Sequence, residues 1–239
     1  MSEREPAADG LPSPGRAVKG KSLHEQVVES LRWSIFIGEL PPGRRFSVPA
    51  LAEQFGVSLT PVREAVLDLV QQGLVVALPN RGFQVVAPSM EYLTQAMHVR
   101  RLLEIPAMIE IARTATPARL RPVRELADAI MVAGEKDDIR TFVETDYAFH
   151  WQLTGLCGNE VLTDLIEELR SRARVVVVPA ISRQFSLVEV AQEHLDLLTA
   201  IEEHDLPAVE RVTVAHIDRT FAGLRTALDG NASCEWLWK

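Results

Sequence analysis

The sequence predicts a mainly α-helical protein in two parts: a small N-terminal unit of three helices and a hairpin, and a larger C-terminal antiparallel α-helical bundle. Three observations carry this. Apolar residues recur every three to four positions along most of the chain, the spacing of one helix face. Strand-like runs are confined to a short stretch around residue 80. The charge is uneven: residues 21–88 hold six basic and six acidic side chains, so the net charge of −8 lies beyond residue 88.

Residues 1–20 hold Pro6, Pro12, Pro14 and three glycines with almost no large apolar side chain, and read as a disordered tail. From Leu23 the stripe Leu23, Val27, Leu31, Ile35 predicts a helix, ended by Gly38 and Pro41-Pro42-Gly43. Ser47 can cap a short second helix with Leu51, Ala52 and Phe55, and Gly56 turns out of it. Thr60 is expected to cap a third helix, with Pro61 at its first position and Val62, Val66, Leu69 and Val70 on its apolar face. Two β-prone runs, 74–78 and 83–86, flank Pro79-Asn80-Arg81-Gly82 and read as a hairpin. Helix, helix, tight turn, helix and hairpin over 21–88 is the layout of a winged helix-turn-helix.

Beyond Ser89 helices are expected at 90–114, 117–133, 136–156, 159–178, 187–204 and 207–228, punctuated by Gly134, Gly158-Asn159, Pro179 and Asp205-Leu206-Pro207. These form a bundle over 89–229. Residues 230–239, with Trp236 and Trp238, are left as a C-terminal tail.

Composition narrows the function classes. An apolar fraction of 47% and a charged fraction of 24% belong to a folded chain, not a collagen-like one. The run Val175–Val178 is far short of the ~20 residues of a membrane span, and the N-terminus lacks the apolar segment of a secretory signal. Two cysteines, Cys157 and Cys234, are too few for a disulfide framework. The expectation is a cytoplasmic protein with no membrane partner. An acidic total does not exclude DNA, because phosphate contact needs positive charge only where the surfaces meet.

The second helix of such a pair enters the major groove by its N-terminal end. That end reads Ser58-Leu59-Thr60-Pro61-Val62-Arg63. Hydroxyl residues at a helix start suit phosphate, and Arg63 can present a guanidinium fork to a guanine edge. Arg81 and Gly82 at the hairpin tip can reach the neighbouring minor groove or its phosphates, and Arg45 is added as a basic contact ahead of the second helix. Taken alone, these residues leave open an ordinary capped helix pair with a surface arginine.

In the bundle, Asp146 and His150 are spaced i,i+4, one turn apart on one helix face. His194 and His216 lie about equally far from the Asp205-Leu206-Pro207 turn, so antiparallel packing brings them level. One carboxylate and three imidazoles suit a late first-row divalent metal. The spacing leaves open a surface pair and satisfied core histidines. Arg170 and Arg174 read as surface residues, and His24, His98 and His204 as solvent or packing residues.

The chain resembles a known family. Leu51-Ala52-Glu53-Gln54-Phe55-Gly56-Val57-Ser58, then Thr60-Pro61-Val62-Arg63-Glu64-Ala65, is similar to the signature of GntR-type transcription regulators. The likeness to their FadR-like branch continues through Gly73-Leu74-Val75 and Asn80-Arg81-Gly82-Phe83. Residues 90 to about 220 resemble that branch's FCD ligand-binding domain, on Val99 to Glu104, Asp146 to His150, Gly158-Asn159, Glu193-His194 and Ala215-His216.

The resemblance implies a homodimer on a short palindromic double-stranded DNA site, with Thr60, Arg63 and Gly82 at contact positions. It implies a divalent metal, with zinc first and nickel, manganese or iron as alternatives, on Asp146, His150, His194 and His216. It also implies a small carboxylate effector near an arginine of the domain's first helix, for which Arg100 is the candidate, with Asn159 a second effector residue. For Arg100 an i,i+4 surface pair with Glu104 stays open, and for Asn159 a helix cap. Two family arginines are missing: Leu59 stands at one such position and Pro49 at the other. Leu59 is therefore expected to touch a thymine methyl.

The expected function is a transcription regulator, of the repressor type, whose operator affinity is set by a carboxylate at the metal. The competing reading is a metal-dependent hydrolase with an accessory N-terminal domain, since such ligands can leave positions open for water. No general base or nucleophile accompanies the ligands at a readable spacing, so the chain is not expected to be an enzyme.

Overall fold

The computed structural model describes residues 22–79, 81–184 and 186–229. The expected tails over 1–20 and 230–239, with Trp236 and Trp238, lie outside the described residues, as does Asn80 of the hairpin. The chain divides into two compact units between Ala87 and Pro88.

In the first unit, α1 (Leu23–Phe36) opens on a capping box in which Ser22 and Glu25 satisfy each other's backbone N–H groups. Its core face is Val27, Leu31, Ile35 and Phe36. Leu23, in the first turn, departs from the expected stripe: it is 59% exposed. After β1 (Arg45–Phe46), α2 (Val48–Phe55) is capped by Ser47 and left through Gly56 at φ 64°. Helix α3 (Leu59–Gln71) starts two residues earlier than expected for a Thr60 cap. Ser58 is the N-cap, and Thr60 and Pro61 already lie in the first turn, where a missing N–H costs no helical bond. Val62, Ala65, Val66 and Leu69 bury its inner face against α1.

Strands β2 (Val75–Leu78) and β3 (Gly82–Val85) form the hairpin. The sheet has a third strand that the sequence reading lacked, since β1 pairs antiparallel with β3 and gives the order β1-β3-β2. Phe46 and Phe83 stack at 5.7 Å beneath it. Gly82 is required there. Its φ is 86°, and a Cβ would lie 2.0 Å from the Phe46 carbonyl oxygen.

The second unit consists of α4 (Met90–Thr114), α5 (Pro117–Glu135), α6 (Ile139–Gly155), α7 (Glu160–Gln184), α8 (Leu187–Glu202) and α9 (Leu206–Asp229). Helix α4 packs on α7, α8 and α9, while α5 lies against α6 and α8. Ile111, Leu120, Ile130, Phe149, Leu198 and Val209 are buried between them. Helix α7 does not end before Pro179 but continues to Gln184. A proline forfeits one hydrogen bond to the preceding turn, and packing of a long helix can outweigh that loss. Helices α4 and α5 likewise run through Pro106 and Pro122. Among the described residues no helix is long and apolar enough to cross a membrane.

Candidate functional site

Three helices bring the candidate ligands together. Asp146 and His150 come from the middle of α6, His194 from α8 and His216 from α9. The three imidazole centroids form a near-equilateral triangle, 5.1 Å on every side. Each ring offers a nitrogen within 4.8 Å of the other two. Phe149 sets its edge-on contacts against His150 and His194 at 5.0 and 4.8 Å, which makes an apolar floor. His150 and His194 are buried and His216 is nearly so.

His194 is held by its own helix. Its Nδ1 lies 3.0 Å from the Val190 carbonyl oxygen, which can only accept, so Nδ1 carries the proton. In a neutral ring Nε2 is then a lone pair. It faces Asp146 Oδ1 at 3.0 Å and His150 Nε2 at 3.2 Å. A lone pair opposed to a carboxylate oxygen is repulsive unless a proton or a cation is shared between them. His150 Nε2 stands 3.3 Å from the same carboxylate oxygen. The donor set therefore fits a divalent cation with imidazole preference.

The electrostatics favour the ligand forms. Burial pushes the His150 imidazolium well below its usual range, with Arg170 adding to the effect and Asp146 opposing it. Burial likewise lowers His216, against the pull of Glu193. Burial alone would raise the Asp146 carboxyl, but the His150 and His194 rings that meet it hold it well below the ordinary value. Neutral imidazoles and an ionised carboxylate are the states that coordinate metal.

Beside the cluster lies a cavity of about 70 Å³ lined by Arg100, Asp146, Arg170, Arg174, Glu193, His216 and Arg219, with Phe142, Val143 and Leu187 as apolar wall. A single water needs roughly 10–15 Å³, so the space suits a small molecule. Arg100 pairs with Glu104 as an i,i+4 neighbour, but the pair is buried, at 2% and 3% exposure. Glu104 also holds Arg170 from α7, and burial, which would raise its carboxyl, is overcome by the two guanidiniums, which hold it far below the usual range. Arg170 and Arg174 are thus not surface residues. Both are buried, and Arg174 pairs with Glu167 at 2.5 Å and stands 3.6 Å from Asp146. The Nε of Arg170 has no hydrogen-bond partner among the described residues.

Asn159 is elsewhere. It is exposed, and its carboxamide oxygen accepts from Leu162 N at 3.1 Å as the cap of α7, so the structure does not bring it to the cavity. His24 pairs with Asp68 at 3.0 Å, His204 meets the Ala112 carbonyl at 2.6 Å, and His98 is exposed. The sequence reading took Glu104 only as a possible surface partner of Arg100, and gave Glu167, Glu193 and Arg219 no role at the site. Glu193 accepts from His216 Nδ1 at 3.0 Å and is bonded by Arg219 Nε, an arrangement that leaves His216 Nε2 as a lone pair. The signal available was its place beside His194, which says nothing of the side it faces.

In the first unit, Ser58, Thr60 and Arg63 are exposed at the start of α3, and Leu59 is 38% exposed. Ser58 makes no side-chain cap bond, so the first-turn N–H groups are not taken up by it. Arg45 and Arg81 are exposed on the wing, with Gly82 half-buried between β1 and the hairpin tip.

Comparison with known proteins follows the same division. Residues 23–85 match the family model "Bacterial regulatory proteins, gntR family", and residues 95–219 match the FCD domain. The HTH-type transcriptional regulator McbR of Escherichia coli (strain K12) is 30% identical over 201 residues, covering 82% of this chain and 89% of that one. The HTH-type transcriptional repressor RspR of the same organism is 27% identical over 213 residues, covering 88% and 92%. The solved structure of E. coli McbR/YncC superposes with a TM-score of 0.75 at 26% identity, covering 87% of this chain and 99% of that one.

Proposed function

We propose that this chain, which belongs to the gntR family of bacterial regulatory proteins and carries an FCD domain, is a cytoplasmic repressor controlled by a small carboxylate. Membership makes it a DNA-binding transcription regulator and not an enzyme. The observation that carries the finer reading is the triangle of three imidazoles with Asp146 at hydrogen-bond distance from two of them.

Asp146, His150, His194 and His216 would hold a divalent ion, zinc by donor chemistry, with nickel, manganese or iron as alternatives. The ion would supply a Lewis-acidic position for a carboxylate oxygen. Arg100 and Arg170 supply the positive wall for a small acid. Phe142, Val143 and Leu187 exclude water and so strengthen each charged contact.

On the DNA side, Ser58 and Thr60 offer hydroxyls and free first-turn N–H groups to phosphate, and Arg63 offers its fork to a base edge. Leu59 supplies apolar contact to a thymine methyl. Arg45 and Arg81 meet the backbone beside the wing, where Gly82 keeps the tip close to β1. A homodimer reads a palindrome because half-site spacing repeats the protein's two-fold symmetry. A change of dimer geometry on effector binding changes that spacing, and operator affinity follows. RspR carries the word repressor in its name, which supports the direction chosen.

Two variants test this. Arg63→Ala is expected to weaken operator binding and keep its metal; His150→Ala is expected to lose metal and effector response and keep operator binding. Loss of both properties in either variant, with the fold intact, would contradict the division of labour.

A further inference from the structure

We infer that Glu193 is a positioning residue for the metal ligand His216, and that Arg219 holds the affinity of the site below what its four ligands alone would give. The inference rests on the metal reading above. His216 Nδ1 donates to Glu193 Oε2 at 3.0 Å, and Arg219 Nε donates to the other oxygen of the same carboxylate. A carboxylate behind a ligating imidazole fixes its tautomer and orientation and raises the electron density at the opposite nitrogen. A guanidinium on that carboxylate takes part of the charge back. Burial sharpens both effects, since the Glu193 side chain is only 11% exposed.

Arg219 sits differently from Glu193. Its side chain is 34% exposed and it lines the cavity beside Arg100 and Arg170. An anion seated in the cavity can therefore compete for the guanidinium that Glu193 now shares. Each such withdrawal returns charge to Glu193 and, through His216, to the ion. Linkage makes the effect reciprocal: what tightens the ion when the anion binds must tighten the anion when the ion binds. The contents of the cavity thereby reach the metal without needing to touch it.

Arg219→Gln reproduces the withdrawn state without any effector. The full chain is stripped of metal, and Zn²⁺ affinity is measured by competition with a chromophoric chelator, with Co²⁺ absorption as a second readout. Arg219→Gln is expected to bind Zn²⁺ about two- to fivefold more tightly than wild type, as expected for one partly exposed ion pair. Glu193→Gln is expected to bind about ten- to a hundredfold more weakly. The double variant should match Glu193→Gln alone, because the effect of Arg219 on the ion runs through the Glu193 carboxylate, and Arg219→Lys should stay near wild type. The metal-free melting temperature of Arg219→Gln should stay level or fall while its metal affinity rises, a split that a merely structural role would not produce.

Weaker or unchanged binding by Arg219→Gln, or additive effects in the double variant, would overturn the relay and leave the metal reading standing. A wild-type chain that takes up no Zn²⁺ would overturn both. If Glu193→Gln fails to fold by circular dichroism, the comparison of Arg219→Gln with Arg219→Lys decides.

Discussion

Replacing Glu104 by glutamine tests whether the charged wall of the cavity is held by a single carboxylate. Glu104 is 3% exposed and joins two buried guanidiniums, Arg100 on its own helix and Arg170 on α7. Glutamine keeps the shape and removes the charge, leaving two cations buried with no counter-charge between them. Breaking a buried pair in this way costs about 3–5 kcal/mol. For a unit of this size that is a fall in melting temperature of about 10–15 °C. Glu168→Gln is the control: its pair with Arg172 lies on the surface, where the carboxylate side chain is 52% exposed, and the cost should stay within about 0.5 kcal/mol. The pH dependence has a definite sign. Because the folded carboxyl of Glu104 is held far below its unfolded value, it contributes stability above about pH 4.3, lost as the pH falls further. Glu104→Gln should flatten that acid limb. Thermal melts by circular dichroism at several pH values, with and without sulfate, read all of this, and sulfate should rescue the variant more than wild type because both guanidiniums then lack a partner. A Glu104→Gln loss no larger than that of Glu168→Gln would refute the reasoning.

The DNA-reading unit allows three further tests. Gly82→Ala forces a side chain into a left-handed backbone and against the Phe46 carbonyl, so at least about 1–2 kcal/mol should be lost from the first unit, seen as a lower melting temperature; an unchanged melt would contradict the close approach of β1. Arg63→Ala should weaken operator binding by about 1–3 kcal/mol and relax the preference at one base pair, as measured by fluorescence anisotropy across a set of single-base operator variants. Selection of operators from random DNA with wild type and Leu59→Arg should give consensus sequences that differ at one position of each half-site, with guanine gained in the variant. Identical consensus sequences would remove Leu59 from the contacts.

Much of the fold could be read from the sequence because caps and breakers act locally. Ser47 and Gly56 begin and end a helix through bonds to backbone within a few residues, and the hairpin follows from its turn residues. The reading failed where tertiary contacts decide. Pro179 reads as a stop, yet α7 passes through it. Strand β1 is two residues long, too short to leave a period, and exists only because β3 lies alongside. The candidate ligands were legible because imidazoles are few and i,i+4 spacing has one geometric meaning on a helix. Their supports were not. Arg170 and Arg174 belong to a helix dense in charge, where a solvated face is the ordinary expectation, and buried partners such as Glu104 and Glu167 draw them inward. Glu193 and Arg219 are likewise ordinary helix residues until α8 and α9 are laid together. Asn159 shows the converse, a residue marked by resemblance whose local capping bond accounts for its place in the structure.

The most direct measurement is X-ray absorption at the metal edge of the zinc-loaded full chain, with metal content determined on the same sample. One ion per chain is expected, with nitrogen or oxygen neighbours at about 2.0–2.1 Å and the outer-shell scattering of three imidazoles, reduced to two in His216→Ala. A loaded sample showing one imidazole or none, or a spectrum unchanged by His216→Ala, would contradict the account.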